Sequence, residues 1–332
     1  MKLRIAAAVL LVAILLGVTA GCGGTASREP ESPKYPTKPI DLIVAFPPGG
    51  SSDMTARLLA ERLSKEWGVP INVVNKPGGG GTVGTLDVVQ AKPDGYTMLT
   101  HSITCTLAAA TSTQCPYKWD QMTPVSLVMA NALVLTISPD LPYSSVAELL
   151  DAIKKDPSKF KAGVGSAGAP AVFGLVKLFD ATGIDPKSVE MVVFQGGAPT
   201  LAAVAGGHVQ LASQNLPEAV SLINAGKLKA LAVTTDTRGK SVPNVPTARE
   251  AGFPAYDQLG WNGISGPPGL PDYVVKKWAE GIQKVVQDPS FVEKIESMDA
   301  VVIYKGPDDF KQFVEQEYKS ALAIAERVGI RK

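Results

Sequence analysis

Apolar and polar positions along the chain follow two rhythms. Ile40 to Phe46 is a short apolar run that reads as a buried strand, broken by Pro47-Pro48-Gly49-Gly50-Ser51-Ser52-Asp53. From Met54 to Trp67 the residues Leu58, Leu59, Leu63 and Trp67 recur at helical spacing while Arg57, Glu61, Arg62 and Lys65 face away, and Ser51 or Ser52 is placed to cap that helix. A second strand is expected at 71–75, then a Gly-rich loop from Pro77 to Thr82, a helix at 83–91 and a third strand at 96–100. Strand, helix, strand, helix, strand implies a parallel sheet covered by helices.

Residues 101–124 show little period. Val125 to Ser138 is apolar and extended, interrupted by Asn131, and is expected to be a connecting strand into a second lobe. The βα rhythm then repeats. Ser144 caps a helix to about Lys154, and strands are expected at 160–165, 189–194, 209–213 and 228–234. Helices follow them, to about Thr182, at 198–205 and at 217–225. Later amphipathic helices are expected at 278–286 and 310–328, the last for packing rather than for a partner.

The first residues belong to a different category. Lys2 and Arg4 precede an apolar stretch from Ile5 to Gly17, too short for a typical spanning helix of ~20 apolar residues. It matches a secretory signal peptide. Thr19-Ala20-Gly21-Cys22 resembles a bacterial lipobox, with Thr19 where Leu is usual. The expectation is a signal peptide at 1–21, lipidation at Cys22 and a polar tether over 22–38, ordinary cleavage near Ala20 being the alternative. Such a protein is exported, and is held as a lipoprotein at the outer face of the cell membrane or in the periplasm. Export also permits a disulfide between the remaining cysteines, Cys105 and Cys115, two free thiols being the alternative.

Composition narrows the chemistry. The chain has 332 residues, enough for two domains, and its net charge of +1 carries no clustered basic surface of the kind a nucleic-acid partner needs. There is no G-x-S-x-G elbow or H-E-x-x-H motif, and a triad would have to use His101 or His208, both expected in loops. PGGGGT lacks the G-K-[ST] ending of a P-loop. No metal or organic cofactor is implied.

Six segments, in order, carry a resemblance: PTKPIDLIVAFPPGGSSDMTARLLAERL (36–63), VVNKPGGGGTVG (73–84), KPDGYTML (92–99), FQGGAPTLAAVAGGHVQLA (194–212), NLPEAVSLINAGKLKALAVTTDTR (215–238) and VPNVPTAREAGFP (242–254). Together they resemble the substrate-binding proteins of tripartite tricarboxylate transporters, the Bug receptors. The resemblance implies an α/β, two-lobed periplasmic-binding-protein fold of type II with a hinge of crossing strands. Lobe 1 is expected from 39–128 and 214–332, lobe 2 from 129–213. It also implies a monomer, not an enzyme, that captures a small carboxylate between the lobes and delivers it to integral-membrane transporter subunits. A receptor reporting to a membrane kinase, and more remotely an exported hydrolase, are the alternatives.

The residues agree with a carboxylate grip. Helix N-termini offer unpaired N–H groups and partial positive charge, and glycine lets backbone approach an anion. The loops at 47–53 and 165–170 each join a strand to a helix, at the carboxyl ends of strands where open α/β sheets bind ligands. The ligand-binding residues expected in the first lobe are Pro48, Gly49, Gly50, Ser51, Ser52, Asp53, Gly80 and Ser102. From the second loop and beyond come Ser166, Ala167, Gly168, Ala169, Gln214, Asn215 and Trp261. Asp53 is expected to serve its own helix start more than the anion, and Trp261 and Asn262 to close over the ligand, with core packing the alternative for Trp261. Relative to the family, Ala167, Ala169, Pro170 and Ala171 make the second loop apolar. Gln195 stands where Lys is common and Gln210 where Asp is common. A pocket less polar than citrate needs is the expectation.

Overall fold

The computed structural model of the chain describes residues 33–331. The expected signal peptide, Cys22 and most of the tether lie outside the described residues. Residues from Tyr35 onward form a single compact unit.

Two half-structures are joined through one strand. In the first, β1 (Ile40–Val44) leads into α1 (Ser51–Trp67), β2 (Ile71–Asn75), α2 (Thr82–Val89) and β3 (Thr97–Ser102). β1 lies between β2 and β3 and is parallel to both, so the loop leaving it opens at a point where the strand order reverses. In the second, β5 (Lys161–Val164) lies parallel between β6 (Glu190–Val193) and β7 (Leu211–Asn215). The helices there are α4 (Val146–Lys155), α5 (Pro170–Ala181), α6 (Gly197–Ala205) and α7 (Leu216–Asn224).

The joining strand is β4 (Thr123–Ile137). Its first part pairs antiparallel with β9 (Leu259–Gly266) and β10 (Ala300–Lys305); its last five residues pair with β7 and β8 (Lys229–Val233). Every residue of β4 from Val125 is buried, so the strand reads as a continuous apolar run. The remaining helices, α8 (Asp272–Gln287), α9 (Pro289–Glu296) and α10 (Pro307–Val328), follow the return through β9.

Three expectations change. The return to the first half comes at β9 rather than at residue 214, because β8 pairs with β4 in the second sheet and keeps residues 214–233 there. Residues 101–124 contain a helix, α3 (Ile103–Thr111), all nine of whose residues are buried. It packs against α10, α5 and the Gly79–Gly81 turn. A helix covered on every side has no polar face, so it shows no period. Finally, His101 belongs to β3 rather than to a loop.

The expected disulfide is not formed: Cys105 and Cys115 are free thiols. Cys105 is wholly buried inside α3, and its carbonyl accepts the Tyr117 hydroxyl at 2.8 Å. Burial pushes the Cys105 thiol up to about 11.

Candidate functional site

A cleft of about 380 Å³ lies at the carboxyl ends of the strands, lined from both halves. The first turns of five helices reach it. These are Ser51 and Ser52 of α1, Ile103 and Thr104 of α3, Pro170 and Ala171 of α5, Gly197 to Pro199 of α6, and Glu218 of α7. Four of these helices, α1, α5, α6 and α7, begin without a side-chain cap. Each N-terminus carries roughly half a positive charge, and the N-cap residue leaves the first-turn N–H groups uncapped, except that at α1 the Ser51 N–H donates to the Glu218 carboxylate. The cleft therefore has a positive field built from backbone.

The start of α1 explains how this arises. Its N-cap is Gly50, not Ser51 or Ser52 as the sequence suggests. The serines are the first and second residues of the helix, buried, with hydroxyls turned sideways to asparagines. Ser51 Oγ donates to Asn131 Oδ1 at 3.0 Å and accepts from Asn262 Nδ2 at 2.8 Å; Ser52 Oγ donates to Asn262 Oδ1 at 2.7 Å. Asn131 Nδ2 donates to Asn215 Oδ1 at 2.7 Å, and Asn215 Nδ2 to Glu218 Oε1 at 2.9 Å. The relay runs from α1 through β4 and β9 to β7 and α7, tying both halves to the crossing strands. Gly260 makes room for it: a Cβ there would stand 2.7 Å from both Asn131 Nδ2 and Asn215 Oδ1.

Eleven of the fifteen expected ligand-binding residues line the cleft. They are Pro48, Gly49, Gly50, Ser51, Ser52 and Ser102 from the first half and its β3–α3 junction, Ser166, Ala169, Gln214 and Asn215 from the second, and Trp261 on β9. Trp261 is also core, packed edge-on against His101 and Phe310. The other four sit beside the cleft. Asp53 is buried beneath the 47–50 loop, accepting the Gly49 N–H at 3.0 Å, the Asn75 amide at 2.9 Å and both arms of Arg57. Burial raises its carboxyl, but those partners prevail and hold it below the ordinary carboxylate range. Gly80 and Ser166 meet where the two halves approach: a Cβ on Gly80 would come within 3.2 Å of Ser166 Cβ. Gly168 lies against the backbone of α3 at Ala108, and Ala167 points outward, exposed.

The 77–81 loop depends on glycine, since Gly78 to Gly81 all have positive φ, between 57° and 142°.

Gln214 stands apart among the polar residues. Its side chain is 6% exposed, it faces the cleft, and its Nε2 has no hydrogen-bond partner among the described residues. A buried donor left unpaired costs ~1–3 kcal/mol, so this amide awaits an acceptor. Glu218 and Asn131 also line the cleft and were not anticipated as site residues. Asn131, the one amide in a mostly apolar strand, carried a signal; Glu218, an acid in a first helical turn, carried none.

His101 offers no catalytic group. It is buried, its Nδ1 lies 2.8 Å from Ser265 Oγ and its Nε2 2.9 Å from Thr106 Oγ1, and burial lowers its pKa to about 3. His208 is exposed on a bend. Among the described residues there is no cluster of three metal-ligating side chains, and no helix is long and apolar enough to cross a membrane.

Comparison with known proteins gives a consistent result. Residues 55–330 match the sequence model of the tripartite tricarboxylate transporter family receptor. Protein BugT of Bordetella pertussis is 31% identical over 315 residues, covering 94% of each chain. The solved periplasmic binding protein BugD superposes with a TM-score of 0.80 at 29% identity, covering 90% of this chain and 100% of that one. An R. palustris protein solved with adipate superposes with a TM-score of 0.82 at 29% identity, covering 89% of this chain and 99% of that one. The likeness extends to the two-lobed α/β binding-protein fold expected from the sequence.

Proposed function

The chain belongs to the tripartite tricarboxylate transporter receptor family, and from that premise we propose that it captures a small carboxylate in its cleft and delivers it to integral-membrane transporter subunits. The family and the neighbouring structures support a solute-binding role and no catalysis. The observation that carries the ligand class is Gln214 Nε2, an orphaned buried donor set among the helix N-termini, of which those of α5, α6 and α7 are uncapped. A carboxylate is the small group that satisfies both, with acceptor oxygens and negative charge.

The eleven cleft-lining residues among those expected keep the ligand-binding role here, with Asp53 shaping the 47–50 loop, Gly80 and Gly168 setting how closely the halves meet, and Ala167 taking no part. Ligand contacting both halves favours the form in which they are together, since only differential affinity moves such an equilibrium. Signal cleavage and lipidation at Cys22 would hold the monomeric receptor at the outer face of the membrane.

A thermal-shift screen of residues 34–332 against small carboxylates and neutral controls tests the proposal. A carboxylate that raises the melting temperature and is recovered unchanged supports it. Shifts only with neutral or cationic solutes, or turnover of the ligand, would contradict it.

A further inference from the structure

Glu218 is the one ionisable side chain among the described residues lining the cleft; no Lys, Arg or His faces it. Its carboxylate is wedged where the two binding loops converge. Oε1 accepts the Asn215 amide at 2.9 Å, and the Ser51 N–H at the start of α1 also donates to the group. On the other side, Oε2 lies 1.8 Å from where a Cβ on Gly197 would stand, so the absence of a side chain at Gly197 lets the carboxylate sit against the start of α6. Neither oxygen has a cationic partner among the described residues. Burial raises the carboxyl above its ordinary range, partly offset by the Asn215 amide and the Ser51 N–H.

A cleft whose only ionisable side chain is an acid treats ligands unequally. Backbone N–H groups and the Gln214 amide can hold one carboxylate. A second carboxylate finds no Arg or Lys and meets the field of Glu218, whose repulsion in a partly desolvated site is not well screened. A nitrogen bearing protons meets the opposite: an acceptor that two neutral donors leave with spare lone pairs.

We infer that Glu218 is a specificity-determining residue, and that the cleft selects an acid carrying one carboxylate and one protonated or N–H-bearing nitrogen over di- and tricarboxylates. This rests on the proposed carboxylate-receptor reading. The nitrogen is held by Glu218, and the carboxylate by Gln214 Nε2 and the helix N-termini.

The test is calorimetric titration of the soluble protein and of Glu218→Gln with four five-carbon acids: L-norvaline, 5-aminovalerate, valerate and glutarate. Glutamine keeps the shape and one acceptor oxygen while removing the charge, and a melting curve checks that the variant folds. The expected result is that one nitrogen-bearing acid binds the natural protein at least tenfold more tightly than valerate and glutarate, and that the gap falls to threefold or less in Glu218→Gln. Glutarate or valerate binding best, or an undiminished gap in the variant, would overturn the inference and leave the receptor reading standing. If none of the four binds but the wider screen yields a di- or tricarboxylate, the inference again falls alone. If no carboxylate binds at all, both fall.

Discussion

Replacing Gly260 by alanine places one methyl group in the middle of the polar relay. The added Cβ would lie 2.7 Å from Asn131 Nδ2, 2.7 Å from Asn215 Oδ1 and 3.2 Å from Asn131 Cγ. Carbon does not approach those atoms so closely, so the Asn131–Asn215 hydrogen bond must open or β9 must shift. Overpacking of this kind costs about 1–3 kcal/mol. Unpairing a buried donor and acceptor costs ~1–3 kcal/mol more. Some of this is relieved by movement, and the expected loss is about 2–4 kcal/mol. Urea unfolding followed by tryptophan fluorescence measures it, with Trp261 as the adjacent reporter. Gly306→Ala is the control: its Cβ would meet only Tyr304 Oη at 3.9 Å, and the loss should stay under about 1 kcal/mol. Because two of the three close contacts are with Asn131 and the hydrogen bond they break is absent without it, Gly260→Ala should cost at least ~1 kcal/mol less when introduced into Asn131→Ala, the contact with Asn215 Oδ1 accounting for what remains. Equal, small losses at Gly260 and Gly306, or strict additivity with Asn131→Ala, would refute the packing argument.

Three further outcomes are expected. His101 titrates near 6.5 when unfolded and at about 3 when folded, so below pH 6.5 the unfolded chain binds the extra proton and stability falls as pH drops. His101 alone should remove about 1.5 kcal/mol between pH 6.5 and 5; unfolding curves at the two pH values should show that loss shrinking in His101→Gln, and an unchanged loss would count against it. Asp53→Asn removes the ion pair with Arg57 and weakens the tie to Gly49, and should lower stability by about 1–3 kcal/mol. Since the Asp53 carboxyl is held low when folded, its contribution is present above the ordinary carboxylate range and lost as pH falls below it, so the gap between the two proteins should close toward pH 3; a gap independent of pH would argue against the charge. A thiol reagent applied without reductant to the folded soluble protein should label Cys115 and spare Cys105, and label both after denaturation. Protection of both in the denatured protein would reveal a disulfide.

The parallel strands were readable as short apolar runs because most are covered on both faces, and the amphipathic helices because each has one covered face. Leu58, Leu59, Leu63 and Trp67 mark α1 without ambiguity. α3 and β9 were not readable for opposite reasons. ITCTLAAAT is buried all round and has no polar stripe to set a period. LGWNGISG pairs on both edges, yet its three glycines, Asn262 and Ser265 argue locally against a strand. Gly260 and Gly263 are small because other chain segments press against them, Gly263 by the carbonyl of Ser126 and the ring of Phe310. Tertiary crowding of that kind leaves no sequence signature. The same division holds at the cleft. Gly49, Gly50, Ser51 and Ser52 announce a strand–loop–helix junction. Glu218, by contrast, is ordinary first-turn chemistry until the fold carries it to the start of α1.

The central claim is that backbone dipoles and one orphaned amide hold a carboxylate in this cleft. Titration calorimetry with the best acid from the screen, beside its own carboxamide, tests it with a single change of charge. The carboxylate should bind at least tenfold more tightly, a difference of about 1.4 kcal/mol or more. A carboxamide that binds as well as the acid would contradict the claim.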